Sequence, residues 1–254
     1  PNYVDAHANL GGALLLLGEL EKGFAEYEWR LKLNKFKNFC PPTSMWKGES
    51  LEGKSLVVWN EQGLGDMLQF IRYVKLLKAQ NAHITLSVYP PLVSLLQDCF
   101  SEKVDVIDKN HCHLDDYDYH VSLMSLPCML HTTLDNIPQF IPYIHSPQLI
   151  PKAWQLPPNH YFKIGIVWGS AKGTPIYEQK SCFPSLFMEL LEIPDISLYS
   201  LQVGEDAAKI KPWLNDDRVY DLSSILTDFK VTCCIISQLD LVITVDTAVA
   251  HLAG

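Results

Sequence analysis

Residues 55–80 read SLVVWNEQGLGDMLQFIRYVKLLKAQ, an apolar run of strand type followed by a glycine-containing loop and a helical pattern. The same order recurs at 84–100, where ITLSVY precedes PPLVSLLQDCF. After an irregular stretch at 111–150, FKIGIVWGS at 162–170 opens a second series, which continues with a strand at ISLYSLQ (196–202) and ends in LDLVITVD at 239–246. Strands that alternate with helices form parallel sheets. The sequence therefore predicts an α/β fold of two Rossmann-like parallel-sheet units in tandem, with a cleft between them.

Composition excludes several classes of protein. The 254 residues carry 20 basic and 29 acidic side chains, for a formal net charge of −9. The sequence has no basic run of the kind that forms a broad surface for nucleic acid or an anionic membrane. No apolar run reaches the roughly 18 residues of a membrane helix, and the first residues lack a signal-peptide pattern. The seven cysteines, an odd number without C-x-x-C spacing, indicate reduced thiols. A soluble, cytoplasmic protein is expected.

Residues 1–35 show two helical patterns separated by a turn near Gly18. The positions at which a tetratricopeptide repeat of about 34 residues has its consensus side chains are occupied by Leu10, Gly11, Leu14, Gly23 and Tyr27. Small residues there would let two antiparallel helices approach closely, although an ordinary helical hairpin is an alternative. A single repeat cannot bury its own face. It is expected to pack on the next domain or on upstream repeats, and a start at Pro1 without Met favours the latter.

Three loops at predicted strand ends have the composition of ligand sites, because ligands of parallel sheets bind beyond the carboxyl ends of the strands. In EQGLGD at 61–66, two glycines allow a tight turn at the start of a helix. By composition alone, Asp66 is better interpreted as a helix cap. Glu61 and Gln62 would either bond an acceptor sugar or cap the turn.

The other two loops are richer in hydroxyls and small residues. WGSAKG at 168–173, which continues to Lys180, offers amides, hydroxyls and a cation to phosphates, but it lacks the Walker spacing. DTAVAH at 246–251 would open a helix, and His251 is as well explained by a core position as by a ligand role. The patch His111-Cys112-His113 could ligate zinc, but adjacent residues rarely share one tetrahedral centre, so a solvated loop is the preferred interpretation.

Long motifs carry a family resemblance. WKGESLEGKSLVVWNEQGLGDMLQFIRYVKLL, DYHVSLMSLP, IGIVWGS, SLQVG and QLDLVITVDTAVAHLAG, preceded by YEWRL, resemble the bacterial tetratricopeptide-fused glycosyltransferases. These are similar to the ADP-heptose:lipopolysaccharide heptosyltransferases, with the two-domain GT-B fold, and more distantly to protein O-GlcNAc transferases. The resemblance implies a tetratricopeptide hairpin at 1–35, an acceptor-side domain at 36–155 and a donor domain at 156–254. The donor domain is expected to be truncated at Gly254.

The resemblance also implies roles for single residues. The aspartate of the family's Gly-Asp motif, regarded as the general base, falls on Asp66. The residues implied at the donor are Ser170, Lys180, Ser181, Gln202, Gly204, Asp246, Thr247, Ala248 and His251. Those implied on the acceptor side are Glu61, Gln62, Gly63 and Gly65. Heptosyltransferases usually have Gly where this chain has Ala248.

The expected function is that of an inverting glycosyltransferase that moves a hexosyl or heptosyl group from a nucleotide-diphosphate sugar to a glycan or protein hydroxyl. Such a reaction needs a base for the acceptor and positive charge at the leaving diphosphate, for which Asp66 and Lys180 are suited. No metal or other cofactor is expected, and the repeat would recruit the acceptor. The alternative is a non-catalytic tetratricopeptide scaffold with a degenerate or truncated transferase domain.

Overall fold

The computed structural model describes residues 2–33, 43–77, 81–100, 104–170 and 177–254, which form two compact units. The first unit consists of Pro1–Gln62, Phe70–Val93 and Phe100–Tyr143. The second consists of Gly63–Gln69, Ser94–Cys99 and Ile144–Gly254. Several parts of the sequence predictions lie outside the described residues. They are Pro1 and 34–35 of the hairpin, 36–42, 78–80 and 101–103 of the acceptor-side domain, and 171–176 of the donor domain, which include 171–173 of the second loop. The domain boundaries given by the resemblance stay a prediction.

The chain begins with a helical hairpin. Its elements are α1 (Val4–Leu16), α2 (Leu20–Tyr27) and a 3-10 turn (Glu28–Lys32). Gly18, between the helices, has a φ of 80°, a conformation that favours glycine. A Cβ at Gly11 would lie 2.6 Å from the backbone nitrogen of Tyr27. A Cβ at Gly23 would lie 2.8 Å from the side chain of Leu15. Two helices with small residues at their contact are therefore confirmed, whereas their assignment to the tetratricopeptide family stays a prediction.

The first sheet has five parallel strands in the order β1-β5-β2-β3-β4. Its strands are β1 (Ser44–Met45), β2 (Ser55–Trp59), β3 (His83–Val88), β4 (Val104–Asp108) and β5 (Tyr119–Ser122). The helices of this part of the chain are α3 (Leu64–Phe70), α4 (Val74–Leu77), α5 (Pro90–Phe100) and α6 (Leu126–Met129). Strands β2 and β3 are almost wholly buried, which explains the apolar run of β2 and the apolar residues Ile84, Leu86 and Val88 of β3.

Two predictions for this part of the chain were wrong in detail. The stretch at 111–150, predicted as irregular, contains β5, which pairs with β2 in the interior of the sheet. Its buried residues His120 and Ser122 are polar, so the strand has no apolar run that the sequence could reveal. The continuous helical pattern after Gly65 is divided into α3, a 3-10 turn at Ile71–Tyr73 and α4.

The second sheet has four parallel strands in the order β8-β7-β6-β9. Its strands are β6 (Phe162–Val167), β7 (Ile196–Ser200), β8 (Val219–Asp221) and β9 (Leu241–Thr244). The helices are α7 (Ser185–Met188), α8 (Phe229–Ile236) and α9 (Ala248–Ala253). One core cluster contains Ile164, Ile166, Trp168 and Leu198, and a second contains Val167, Tyr199, Val231 and Ile235. The sequence predicts β6, β7 and β9 but misses the short strand β8.

The helices of both units are short. Within the described ranges, none is long and apolar enough to cross a lipid bilayer. The prediction of two parallel α/β sheets is confirmed.

Candidate functional site

The first candidate loop follows β2 and leads into α3. Asp66 is the third residue of α3, and its Oδ2 accepts a hydrogen bond of 3.0 Å from the backbone nitrogen of Gly63, the residue before the helix. This is the carboxylate half of a capping box, in which the third helical residue bonds back to the N-cap amide. The side chain is half-buried. Asp66 therefore caps the helix, as composition predicts, and this hydrogen bond holds its carboxylate at the start of the helix.

The first and third loops meet in the second unit. A Cβ placed on Gly65 would lie 2.8 Å from Cδ2 and 3.3 Å from Nε2 of His251, and 3.5 Å from the Cα of Ala248. Glycine at position 65 is thus what allows α9 to approach this closely. The motifs EQGLGD and DTAVAHLAG lie about 180 positions apart in the chain, yet the fold brings them into contact.

Lys180 and Asp246 form an ion pair at the carboxyl end of β9. Lys180 Nζ lies 2.5 Å from Asp246 Oδ2, and the two side chains are 39% and 62% exposed. The hydrogen bond from Lys180 lowers the pKa of Asp246 below its ordinary value, and the charges of Lys180 and His251 act in the same direction. Asp246 is therefore an anion at neutral pH, and the Lys180 cation is accessible from solvent.

Thr247 is the residue before α9. It has an extended backbone, and its hydroxyl lies 3.1 Å from the hydroxyl of Thr244 at the end of β9. Ser170 and Ser181 bring the second loop back on itself, because Ser181 Oγ accepts a 3.2 Å hydrogen bond from the Ser170 amide. The Ser170 hydroxyl is buried and has no hydrogen-bond partner among the described residues. It is a polar group that a ligand or water could satisfy.

Gln202 and Gly204 have structural explanations. Gln202 is 4% exposed, and its Oε1 accepts hydrogen bonds from the amides of Trp168 (3.2 Å) and Gly169 (2.8 Å). The side chain after β7 thus fixes the loop after β6. Gly204 has a φ of 75°, which favours glycine, and its missing Cβ would face open space. Their predicted contact with the nucleoside stays a prediction.

Glu61 is buried rather than open to an acceptor. Its side chain is 0% exposed, and Oε1 accepts from Arg30 Nη2 at 2.5 Å and Nε at 3.0 Å, and from the Ser122 hydroxyl. Gln62 Nε2 donates to Tyr27 Oη at 3.3 Å. These contacts give Glu61 a structural role that differs from both alternatives left open by the sequence, a bond to an acceptor sugar and a cap of the turn. Arg30, which is 2% exposed, is the residue of this region that sequence reasoning missed.

No group of three or more His, Cys, Asp or Glu side chains is placed to hold a metal ion in the part of the chain that the structure describes. The patch at His111-Cys112-His113 lies among these described residues. It lies on and between two 3-10 turns after β4, at Lys109–His111 and Leu114–Asp116.

Comparison with known proteins places this geometry in context. No protein-family profile matches the chain. Over 272 residues the chain is 26% identical to protein FlbA of Caulobacter vibrioides. The matched region covers 95% of this chain and 45% of FlbA. The chain therefore spans less than half the length of that relative.

Solved structures give the fold. The Escherichia coli ADP-heptose lipopolysaccharide heptosyltransferase II matches with a TM-score of 0.53 and 13% identity, over 79% of this chain and 81% of that one. A family 9 glycosyltransferase from Veillonella parvula matches with a TM-score of 0.57 and 12% identity, over 81% and 80%. The iron-containing glycosyltransferase TibC of enterotoxigenic E. coli matches with a TM-score of 0.55 and 9% identity, over 80% of this chain and 56% of that one. The chain has the fold that these enzymes share.

Proposed function

We propose that this chain forms the core of an inverting glycosyltransferase, which moves a hexosyl or heptosyl group from a nucleotide-diphosphate sugar to a glycan or protein hydroxyl. The observation that carries the proposal is the contact of Gly65 with His251 and Ala248. It puts the loop of the candidate base beside the loop that holds the candidate donor residues. The fold shared with heptosyltransferases agrees with this assignment.

The proposed reaction is a single displacement. The acceptor oxygen attacks the anomeric carbon, its proton passes to Asp66, and the bond between that carbon and the diphosphate oxygen breaks. The negative charge that develops on the leaving diphosphate is stabilised by Lys180, and the amides at Thr247 and Ala248 lie at the same strand end.

We further propose that the reaction needs no resident metal, because Lys180 supplies the cation that the diphosphate requires. The nucleotide sugar and a glycan or protein acceptor are the proposed partners, and the hairpin would help to recruit the acceptor. The cytoplasm is the proposed compartment, since nucleotide sugars and reduced thiols both fit it.

Donor binding tests the proposed site. Calorimetry with ADP, UDP and GDP, each also as its sugar conjugate, should identify one nucleotide that binds. Lys180→Ala should then weaken binding of that nucleotide by about 1.5–3 kcal/mol, because a charge-assisted bond is lost. Lys211→Ala is the matched control, since it removes an exposed lysine from the same unit at a distance in sequence from all three loops. Equal affinities for the two variants would contradict the assignment of Lys180.

Turnover tests the base. Asp66→Asn keeps an oxygen that can accept from the Gly63 amide, so the free energy of unfolding should change little. General-base help is worth about 10²–10⁴-fold, so release of nucleoside diphosphate from the bound sugar donor should slow by that factor at unchanged donor affinity. Full activity of Asp66→Asn would leave Asp66 as a cap alone. If none of the nucleotides binds, the scaffold alternative replaces the enzyme proposal.

A further inference from the structure

Arg30 joins the helical hairpin to the loop after β2. Its guanidinium is buried, and a buried charge is costly unless it is paired. Nε and Nη2 donate to Glu61, and Nη1 donates to Glu28 Oε1 at 2.6 Å. Burial opposes the charge of Arg30, but the bonds from Glu61 and Glu28 outweigh it, so the pKa of the guanidinium lies above its ordinary value. The pair is therefore a permanent ionic link between the hairpin and the loop.

The same loop is held from two further directions. Ser122, the last residue of β5, donates to Glu61, and the carbonyl of Gln62 accepts a 2.7 Å hydrogen bond from Tyr89 Oη, just after β3. The hairpin contributes a second contact, because Gln62 Nε2 bonds Tyr27 Oη. Glu61 and Gln62 are thus fixed by the hairpin and by the ends of two strands.

Stability alone does not account for this arrangement. Replacing a buried ion pair with apolar residues of similar volume is often neutral or stabilising, so burial of charge needs another reason. Glu61 Oε2 has no hydrogen-bond partner among the described residues, although the side chain is 0% exposed. A pair that served only to stabilise the fold would be expected to satisfy both carboxylate oxygens. Here the guanidinium fork is directed at a single oxygen of the loop residue.

The loop needs such external restraint. Gly63, which restricts the backbone least of all residues, is the single residue between Gln62 and α3, and Asp66 lies in the first turn of that helix. The position of the Asp66 carboxylate therefore depends on how firmly the loop is fixed just before Gly63. We propose that Arg30 is a positioning residue, which through Glu61 fixes the residues that lead into α3, the helix that carries Asp66. This inference rests on the proposed function.

The chain offers a matched pair of variants for the test. Glu61→Gln and Glu28→Gln each remove one negative charge from the same guanidinium, with little change of shape, but only Glu61 lies in the loop. In Glu61→Gln, kcat for nucleoside-diphosphate release should fall by about 10- to 100-fold, as expected for a misplaced catalytic group, while the Kd for the nucleotide stays within about twofold of wild type. In Glu28→Gln, kcat should stay near the wild-type value. Arg30→Lys, which keeps the charge but not the fork, should fall between them.

Hydrogen exchange gives a readout that does not depend on activity. The amides of residues 63–66 should exchange faster in Glu61→Gln than in Glu28→Gln at equal global stability, because only the first variant loosens the loop. Equal kcat and equal exchange in the two variants would overturn the inference and leave the pair as a structural feature. Faster exchange in Glu61→Gln, with no transfer by the wild-type protein, would support the positioning of the loop and overturn the proposed function instead.

Discussion

Substitution of Gly65 by alanine tests the central contact of the candidate site. The new Cβ would lie 2.8 Å from Cδ2 of His251, and ordinary contact begins near 3.4 Å, so the imidazole must retreat by about 0.6 Å. Alanine is favoured over glycine in a helix by at most about 1 kcal/mol. Overpacking costs about 1–3 kcal/mol. The free energy of unfolding should therefore fall by up to about 2 kcal/mol, despite the better helix former.

The double-mutant cycle with His251→Ala isolates the contact. Without the imidazole, the nearest atom to the new Cβ is the Cα of Ala248 at 3.5 Å, an ordinary distance, so Gly65→Ala should become neutral or stabilising. Urea unfolding of the wild type, both single variants and the double variant should give a coupling energy of about 0.5–3 kcal/mol between positions 65 and 251. If Gly65→Ala has the same effect in both backgrounds, α9 does not lie against the loop and the proposed site loses its basis.

Three further predictions concern other parts of the chain. Gly11→Ala should destabilise the protein by about 1–3 kcal/mol, because its Cβ meets the Tyr27 backbone, whereas Gly12→Ala, with open space around it, should stabilise by up to about 1 kcal/mol; thermal unfolding compares them. Burial lowers the pKa of His120 below 6.5, so on acidification the unfolded chain binds a proton at this residue before the folded chain does. The free energy of unfolding should therefore fall as the pH drops below 6.5, and His120→Asn should reduce that fall in urea titrations at several pH values. Burial, with the neighbouring Cys234 charge, raises the pKa of Cys233 to about 12, so iodoacetamide at pH 8 should spare Cys233 in the folded protein and modify it in urea, as read by mass spectrometry.

The strands that the sequence predicts are rich in apolar side chains. β2, β3, β6 and β7 are buried on both faces, and burial of both faces favours such sequences, although β3 and β7 each include two small hydroxyl residues. β5 lies beside β2 yet escapes prediction, because two of its inward positions are filled by polar side chains. The partners of His120 are distant in sequence: Nδ1 accepts from Trp59 Nε1 at 3.2 Å, and the ring also bonds the backbone of Thr43. Local pattern cannot reveal a strand whose polar groups are paired by distant residues.

The candidate site divides in the same way. Loop composition and strand order are local properties, and they point to Asp66, Lys180 and Asp246 before any coordinates are known. The partner of each residue is a long-range property. Arg30 precedes Glu61 by 31 residues and looks like an ordinary surface cation in the sequence YEWRL, yet it is buried. The sequence does contain one indication of this role for Arg30. Glu28 and Glu61 both need a cation once they are buried, and Arg30 is two positions from Glu28.

The ion pair between Lys180 and Asp246 also bears on how the site would receive a diphosphate. The Lys180 cation is paired with a carboxylate that is 62% exposed. An exposed pair contributes only about 0–1 kcal/mol, because water solvates both ions well when they separate. A diphosphate with more charge and more acceptor oxygens can therefore take Lys180 at little cost, while Asp246 returns to solvent or keeps a shared contact. The contrast with Arg30 is physical. The buried pair is expensive to break and suits a fixed position, whereas the exposed pair opens easily, as the proposed donor site would require of Lys180.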